Sequence, residues 1–114
     1  MQIPEEAVLL RIFLGENDKH GRQPLFEAIV MKARESHMAG ATVLRGPMGF
    51  GRASRLHTAK ILRLSEDLPI VVEIVDSEAK IDALLTELEP MLGSGLVTLE
   101  RVRVIRYGDG RPRI

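Results

Sequence analysis

Residues 7–14 are a short run of Val, Leu, Ile and Phe broken only by the charge of Arg11 and closed by Gly15, a pattern that predicts a central β-strand. The polar stretch 15–23 (GENDKHGRQ) follows as a loop. Pro24 then suits a first helical position, where its missing N–H costs nothing. Leu25, Phe26, Ile29, Val30 and Ala33 recur at helical spacing, while Glu27, Lys32, Arg34 and Glu35 fall off that stripe, so a helix is expected from Pro24 to a stop at Gly40. Residues 41–44 read as a second strand. It runs into the glycine-punctuated GPMGFG at 46–51, and a long excursion is expected over 46–68. Pro69 opens the β-branched run IVVEIV at 70–75, a third strand, with Asp76 or Ser77 as N-cap of the next helix. Ile81, Leu84, Leu85 and Leu88 form that helix's apolar stripe, and Pro90 with GSG at 93–95 closes it. Residues 96–107 return to strand composition, with an apolar phase shift between Leu99 and Val102 that predicts a bulge or an edge used by a partner. The tail at 108–114 is expected to be mobile.

The order β-α-β-β-α-β suits an α+β domain in which two helices, each with one apolar stripe, cover one face of a four-stranded antiparallel sheet. The other face is then left open, yet residues 7–14 and 70–75 are too apolar for half-solvated strands. Association of copies is inferred. A trimer or a dimer satisfies the argument equally.

The 114 residues, 45% hydrophobic, fit one domain with its core at about 7–107, and no composition break marks a linker. Lys plus Arg equals Asp plus Glu at 16 each, so no overall field draws the chain to nucleic acid or anionic lipid. Aromatic content of 4% leaves few platforms for stacking bases, which argues further against a nucleic-acid partner. The sequence has no cysteine, no leader pattern near Met1 and no long apolar run, so a cytoplasmic protein without membrane insertion is expected.

Gly46, Gly49 and Gly51 fall within six residues and are followed by Arg52, Arg55, His57 and Lys60, with no acid until Glu66. Backbone N–H groups beside local cations are a cradle for phosphate oxygens; a hairpin whose glycines relieve turn strain and whose cations keep it soluble is the equal alternative. No Walker-type lysine follows the glycines.

LGENDKH at 14–20, PLF at 24–26, RGPMGFG at 45–51, His57, and LSEDLP at 64–69 leading to Val75 and Asp76 together resemble the family known as domain of unknown function 190, which is PII-like. The resemblance spans about residues 10–106. It implies a ferredoxin-like subunit, trimeric association and ligand pockets between subunits. In PII proteins a Gly-Phe-Gly-Arg run enters the long regulatory loop and helps hold an adenine nucleotide, and Gly49, Phe50, Gly51 and Arg52 occupy that place here. A second, glycine-rich and basic loop of PII corresponds here only to Gly93 and Gly95, with no lysine or arginine between them. Arg101, Arg103 and Arg106 on the last strand are candidates for the missing phosphate contacts, or simply a basic edge that resists aggregation. The tyrosine that PII modifies is absent from the excursion, since Tyr107 is the sole tyrosine.

No residue pattern calls for an enzyme. His37, at the end of the first helix, suits the helix dipole. His20 lies near Glu16 and Asp18, and His57 lies in the basic excursion. The expected function is therefore regulatory binding of a small anion, an adenine nucleotide by resemblance. The alternatives are a divalent-metal-binding trimer resembling metal-tolerance proteins, using His20 or His57, and an accessory subunit of a membrane transporter or channel.

Overall fold

The computed structural model describes residues 3–51, 55–58 and 67–108. Along the chain lie β1 (Glu6–Gly15), β2 (Lys19–His20), β3 (Gln23–Pro24), α1 (Leu25–Glu35), β4 (Thr42–Arg45), β5 (Met48–Gly49), β6 (His57–Thr58), β7 (Pro69–Asp76), α2 (Glu78–Leu92) and β8 (Leu96–Arg103). The long strands form a four-stranded sheet in the order β4-β7-β1-β8, every pair antiparallel. This is the expected α+β, ferredoxin-like βαββαβ arrangement.

Period-two alternation explains the centre of the molecule. Val8, Leu10 and Ile12 of β1 share a face with Ile70, Val72 and Ile74 of β7, where they meet Leu25, Ile29 and Ala33 of α1 and Ile81, Leu84 and Leu88 of α2. Burying each large aliphatic chain there contributes about 1.5–3 kcal/mol. The alternate residues Leu9, Arg11 and Phe13, paired with Val75, Glu73 and Val71, point to the opposite face. Among the described residues no helix covers it, and these side chains are half-buried.

Asp76 ends β7 as a buried carboxylate, 1% exposed. Its two oxygens accept the Ala39 N–H at 2.9 Å and the Ser77 N–H at 2.7 Å, and the Lys80 ammonium lies 3.6 Å away. Ser77 is the N-cap of α2, its hydroxyl accepting the Lys80 N–H at 3.2 Å. Lys80 also donates to the His37 carbonyl, and the Tyr107 hydroxyl donates to the Ala39 carbonyl at 2.6 Å. One corner thus ties the exit of α1, the entry of α2 and the segment after β8.

Several local expectations are corrected: Pro90, expected to close α2, lies inside it, and the last strand ends at Arg103 rather than 107. Helix α1 stops at Glu35, not Gly40. His37 takes the left-handed backbone (φ 58°) more usual for glycine, and Met38 N–H to Ala33 C=O with His37 N–H to Arg34 C=O closes the end as a Schellman motif. Pro24 stands one residue before the first helical position, paired with Lys19. The stretch 15–23 is not plain loop: β2 and β3 pair around Gly21, whose φ of 64° permits a two-residue turn. No bulge interrupts β8, whose register with β1 runs unbroken from Phe13↔Leu96 to Glu6↔Arg103. The phase shift instead reflects coverage: β8 is an edge strand, and beyond Val97 its helix-side positions Leu99, Arg101 and Arg103 are exposed.

Candidate functional site

Strand β4 ends at Arg45, whose guanidinium meets the Glu16 carboxylate at 2.6 Å. The Gly46 N–H donates to the Pro69 carbonyl at 2.8 Å, so it is spent within the chain. A Cβ at Gly46 or Gly49 would lie 3.1 or 3.0 Å from the Pro69 ring, which makes glycine the residue that lets this turn lie on the start of β7. Gly51 differs, for a Cβ there meets nothing within 4 Å among the described residues. Among the described residues the turn is therefore packed on one side through Gly46 and Gly49 and open at Gly51.

β5 pairs with β6 in the register Met48↔Thr58 and Gly49↔His57, closing the base of the excursion. Met48, Phe50 and Leu56 stand exposed around it, Phe50 at 69%. Arg55 is exposed, whereas Arg52 and Lys60 lie outside the described residues, and His57 is placed by its backbone. Beneath the turn, the loop after β1 is fixed to the residues before β7. Asp67 Oδ1 accepts the Asn17 N–H at 2.9 Å, the Glu16 N–H donates to the Leu68 carbonyl at 2.9 Å, and Asp18 Oδ2 accepts the Gly15 N–H at 3.0 Å. Sequence reasoning missed this strap. Its signal was LSEDLP, read there as a family motif.

Gly93 and Gly95 have structural duties of their own. Gly93 ends α2 at φ 59°, and a Cβ on Gly95 would come within 2.9 Å of the Phe13 carbonyl oxygen. They lie at the same end of the sheet as Gly46, since Leu96 pairs with Phe13 and Gly15 with Pro69, but on the opposite edge. Three inter-strand steps separate the edges by about 14 Å. Arg101 and Arg103 sit farther off, toward the start of β1, and each faces a carboxylate: Arg101 lies 4.0 Å from Glu78 and Arg103 lies 2.6 Å from Glu5. The chain thus brings Gly46, Gly49, Phe50 and Gly51 together and leaves Gly93, Gly95, Arg101 and Arg103 apart from them.

The metal alternative gains no support from geometry. Glu16 is engaged by Arg45 and Asp18 by the Gly15 N–H, and among the described residues no group of three or more His, Asp or Glu side chains is placed to hold an ion. Among the described residues, no helix is long and apolar enough to cross a membrane.

The model of the family DUF190, described as "Uncharacterized ACR", matches residues 7–104. A UPF0166 protein of Aquifex aeolicus is 39% identical over 97 residues, covering 85% of this chain and 91% of its own length. A UPF0166 protein of Methanocaldococcus jannaschii is 31% identical over 102 residues, covering 89% and 94%. Among solved structures, CPII, a nitrogen regulatory PII-like protein from Thiomonas intermedia K12 bound to ADP, AMP and bicarbonate, matches with a TM-score of 0.68 at 19% identity, covering 89% of this chain and 90% of its own. At that identity the likeness shows the fold, which is PII-like.

Proposed function

The chain belongs to the DUF190 family, and on that premise we propose that it is a cytoplasmic PII-like regulatory protein, a homotrimer that binds an adenine nucleotide between subunits at residues 49–52. The observation that carries this reading is the asymmetry of the glycine turn, held against Pro69 at Gly49 and, among the described residues, unobstructed at Gly51. Such a backbone admits phosphate oxygens closely on its open side without loss of its own support. Arg52 supplies the adjacent charge. The nucleotide class is taken from the Thiomonas protein, solved with ADP and AMP.

Since Arg101 and Arg103 lie far from the turn in one subunit, their contribution comes from a neighbouring copy, as do the contacts of Gly93 and Gly95. Their side chains are 83% and 73% exposed, so they are reachable from outside the subunit despite Glu78 and Glu5. Nucleotide binding alters the surface that Met48, Phe50 and Leu56 offer to a protein partner, which is how the signal leaves the molecule. No step of this activity is catalytic.

Titration calorimetry with AMP, ADP and ATP is the test. Saturable heat is expected for at least one, and weakened tenfold or more by Gly51→Val, which crowds the open side while the oligomer persists. Absence of heat for all three at millimolar concentration removes the nucleotide reading.

A further inference from the structure

The open face of the sheet carries one polar cluster. Arg11 lies at its centre on β1, and its Nε donates to Glu73 of β7 at 2.9 Å while its Nη1 donates to Glu100 of β8 at 3.1 Å. Leu9, Phe13, Val71 and Val75 flank it with apolar surface, and Thr98 and Thr42 stand opposite Arg11 and Glu73 on the neighbouring strands. Within one chain the arginine uses two of its five N–H donors in these bonds. The flanking carboxylates are unequal: Glu73 is 28% exposed on a central strand and Glu100 61% exposed on the edge strand. Glu100 is therefore the member placed to reach beyond its own subunit, and the cluster holds both spare donors and a spare acceptor.

We propose that the Glu73–Arg11–Glu100 triad fixes the number and register of copies in the assembly, with Arg11 of one copy donating also to Glu100 of the partner subunit so that the triads close into a polar ring. This rests on the reading that copies associate through the open face. Apolar burial drives that association but is non-directional, and Leu9, Phe13, Val71 and Val75 alone would tolerate sliding and several subunit numbers. A charged group that must be satisfied when the face is desolvated admits only the arrangement that satisfies it. Pairing inside the subunit lets the face leave water without an isolated charge. The spare groups then select the neighbour's position.

Native mass spectrometry and sedimentation of the full chain test the proposal with two variants. The wild type is expected to give one subunit number. Arg11→Met strands two carboxylates at the seam, and dissociation is expected at a concentration at least tenfold higher, with the folded circular-dichroism signal kept. The triple variant R11M/E73M/E100M buries no charge, and is expected to associate at least as tightly as the wild type but with mixed subunit numbers. It carries the test if R11M fails to fold. An R11M protein that matches the wild type in subunit number and dissociation overturns the proposal, as does a triple variant with the single wild-type number. A monomeric wild type removes the association reading and this inference with it, whereas either variant result leaves that reading standing.

Discussion

The two ends of the sheet are built on opposite principles. At the end where β7 meets α2, the buried Asp76 carboxylate accepts two backbone N–H groups, and Lys80 and Tyr107 donate to the carbonyls of His37 and Ala39. Three chain segments converge there around one carboxylate removed from water. At the other end, where β4 gives way to the glycine turn, the polar contacts of Asp67, Asp18 and the Arg45–Glu16 pair lie partly exposed beside backbone bonds and close packing on Pro69, and the large side chains Met48, Phe50 and Leu56 face solvent. One end secures the fold through hydrogen bonds to a buried carboxylate that are costly to lose; the other keeps apolar and backbone groups available to a ligand or partner.

The sharpest way to break this contrast is Asp76→Ala. It leaves the Ala39 and Ser77 N–H groups without their acceptor in a corner where Asp76 itself is 1% exposed, and a loss of about 3 kcal/mol in urea unfolding is expected. A loss under about 1 kcal/mol would mean that this end is no more tightly secured than the other. Tyr107→Phe is milder. It removes the hydroxyl donor to Ala39 and keeps the ring, with an expected cost of about 1 kcal/mol in the same measurement.

The strongly patterned elements were legible from residue order. The alternation in β1 and β7 and the stripes of both helices identify the faces that form the core, and the β-α-β-β-α-β order follows. What failed was punctuation. Gly40 is the obvious helix stop, but the turn is made at His37, whose positive φ is sustained by the Schellman bonds and by Met38 packing into the core. The polarity of β8 reports which stretch the helices cover, a tertiary fact that mimics a bulge. In the candidate site, the spacing of Gly46, Gly49 and Gly51 marked where the chain leaves β4, but it gave no sign of the β5–β6 pairing and could not separate the two glycines packed on Pro69 from Gly51. The distance of Arg101 and Arg103 from that turn follows from strand register, which composition does not carry.

His37→Gly sharpens the comparison from the stable end. A non-glycine residue at φ 58° is strained, while the bond from Lys80 goes to the His37 carbonyl, which glycine retains. Relief of strain outweighs the added chain entropy, and a gain of roughly 0.5–1 kcal/mol is expected in urea unfolding. A loss would show that the imidazole itself contributes to the corner.

The smallest effects are expected at the glycine turn, where two neighbouring positions separate support from recognition. Alanine at Gly49 places a Cβ 3.0 Å from the Pro69 ring, so the turn must shift by a few tenths of an ångström, and a cost of about 0.5 kcal/mol is expected. Alanine at Gly51 meets nothing within 4 Å among the described residues, and its effect on unfolding should be smaller still, inside the ordinary scatter of surface substitutions. Nucleotide affinity should rank the pair in reverse, because the methyl group at 51 stands on the side through which phosphate would approach. Equal affinities in the two variants would break the link between the open side of the turn and the anion, and would make Gly51 one more residue of an ordinary hairpin.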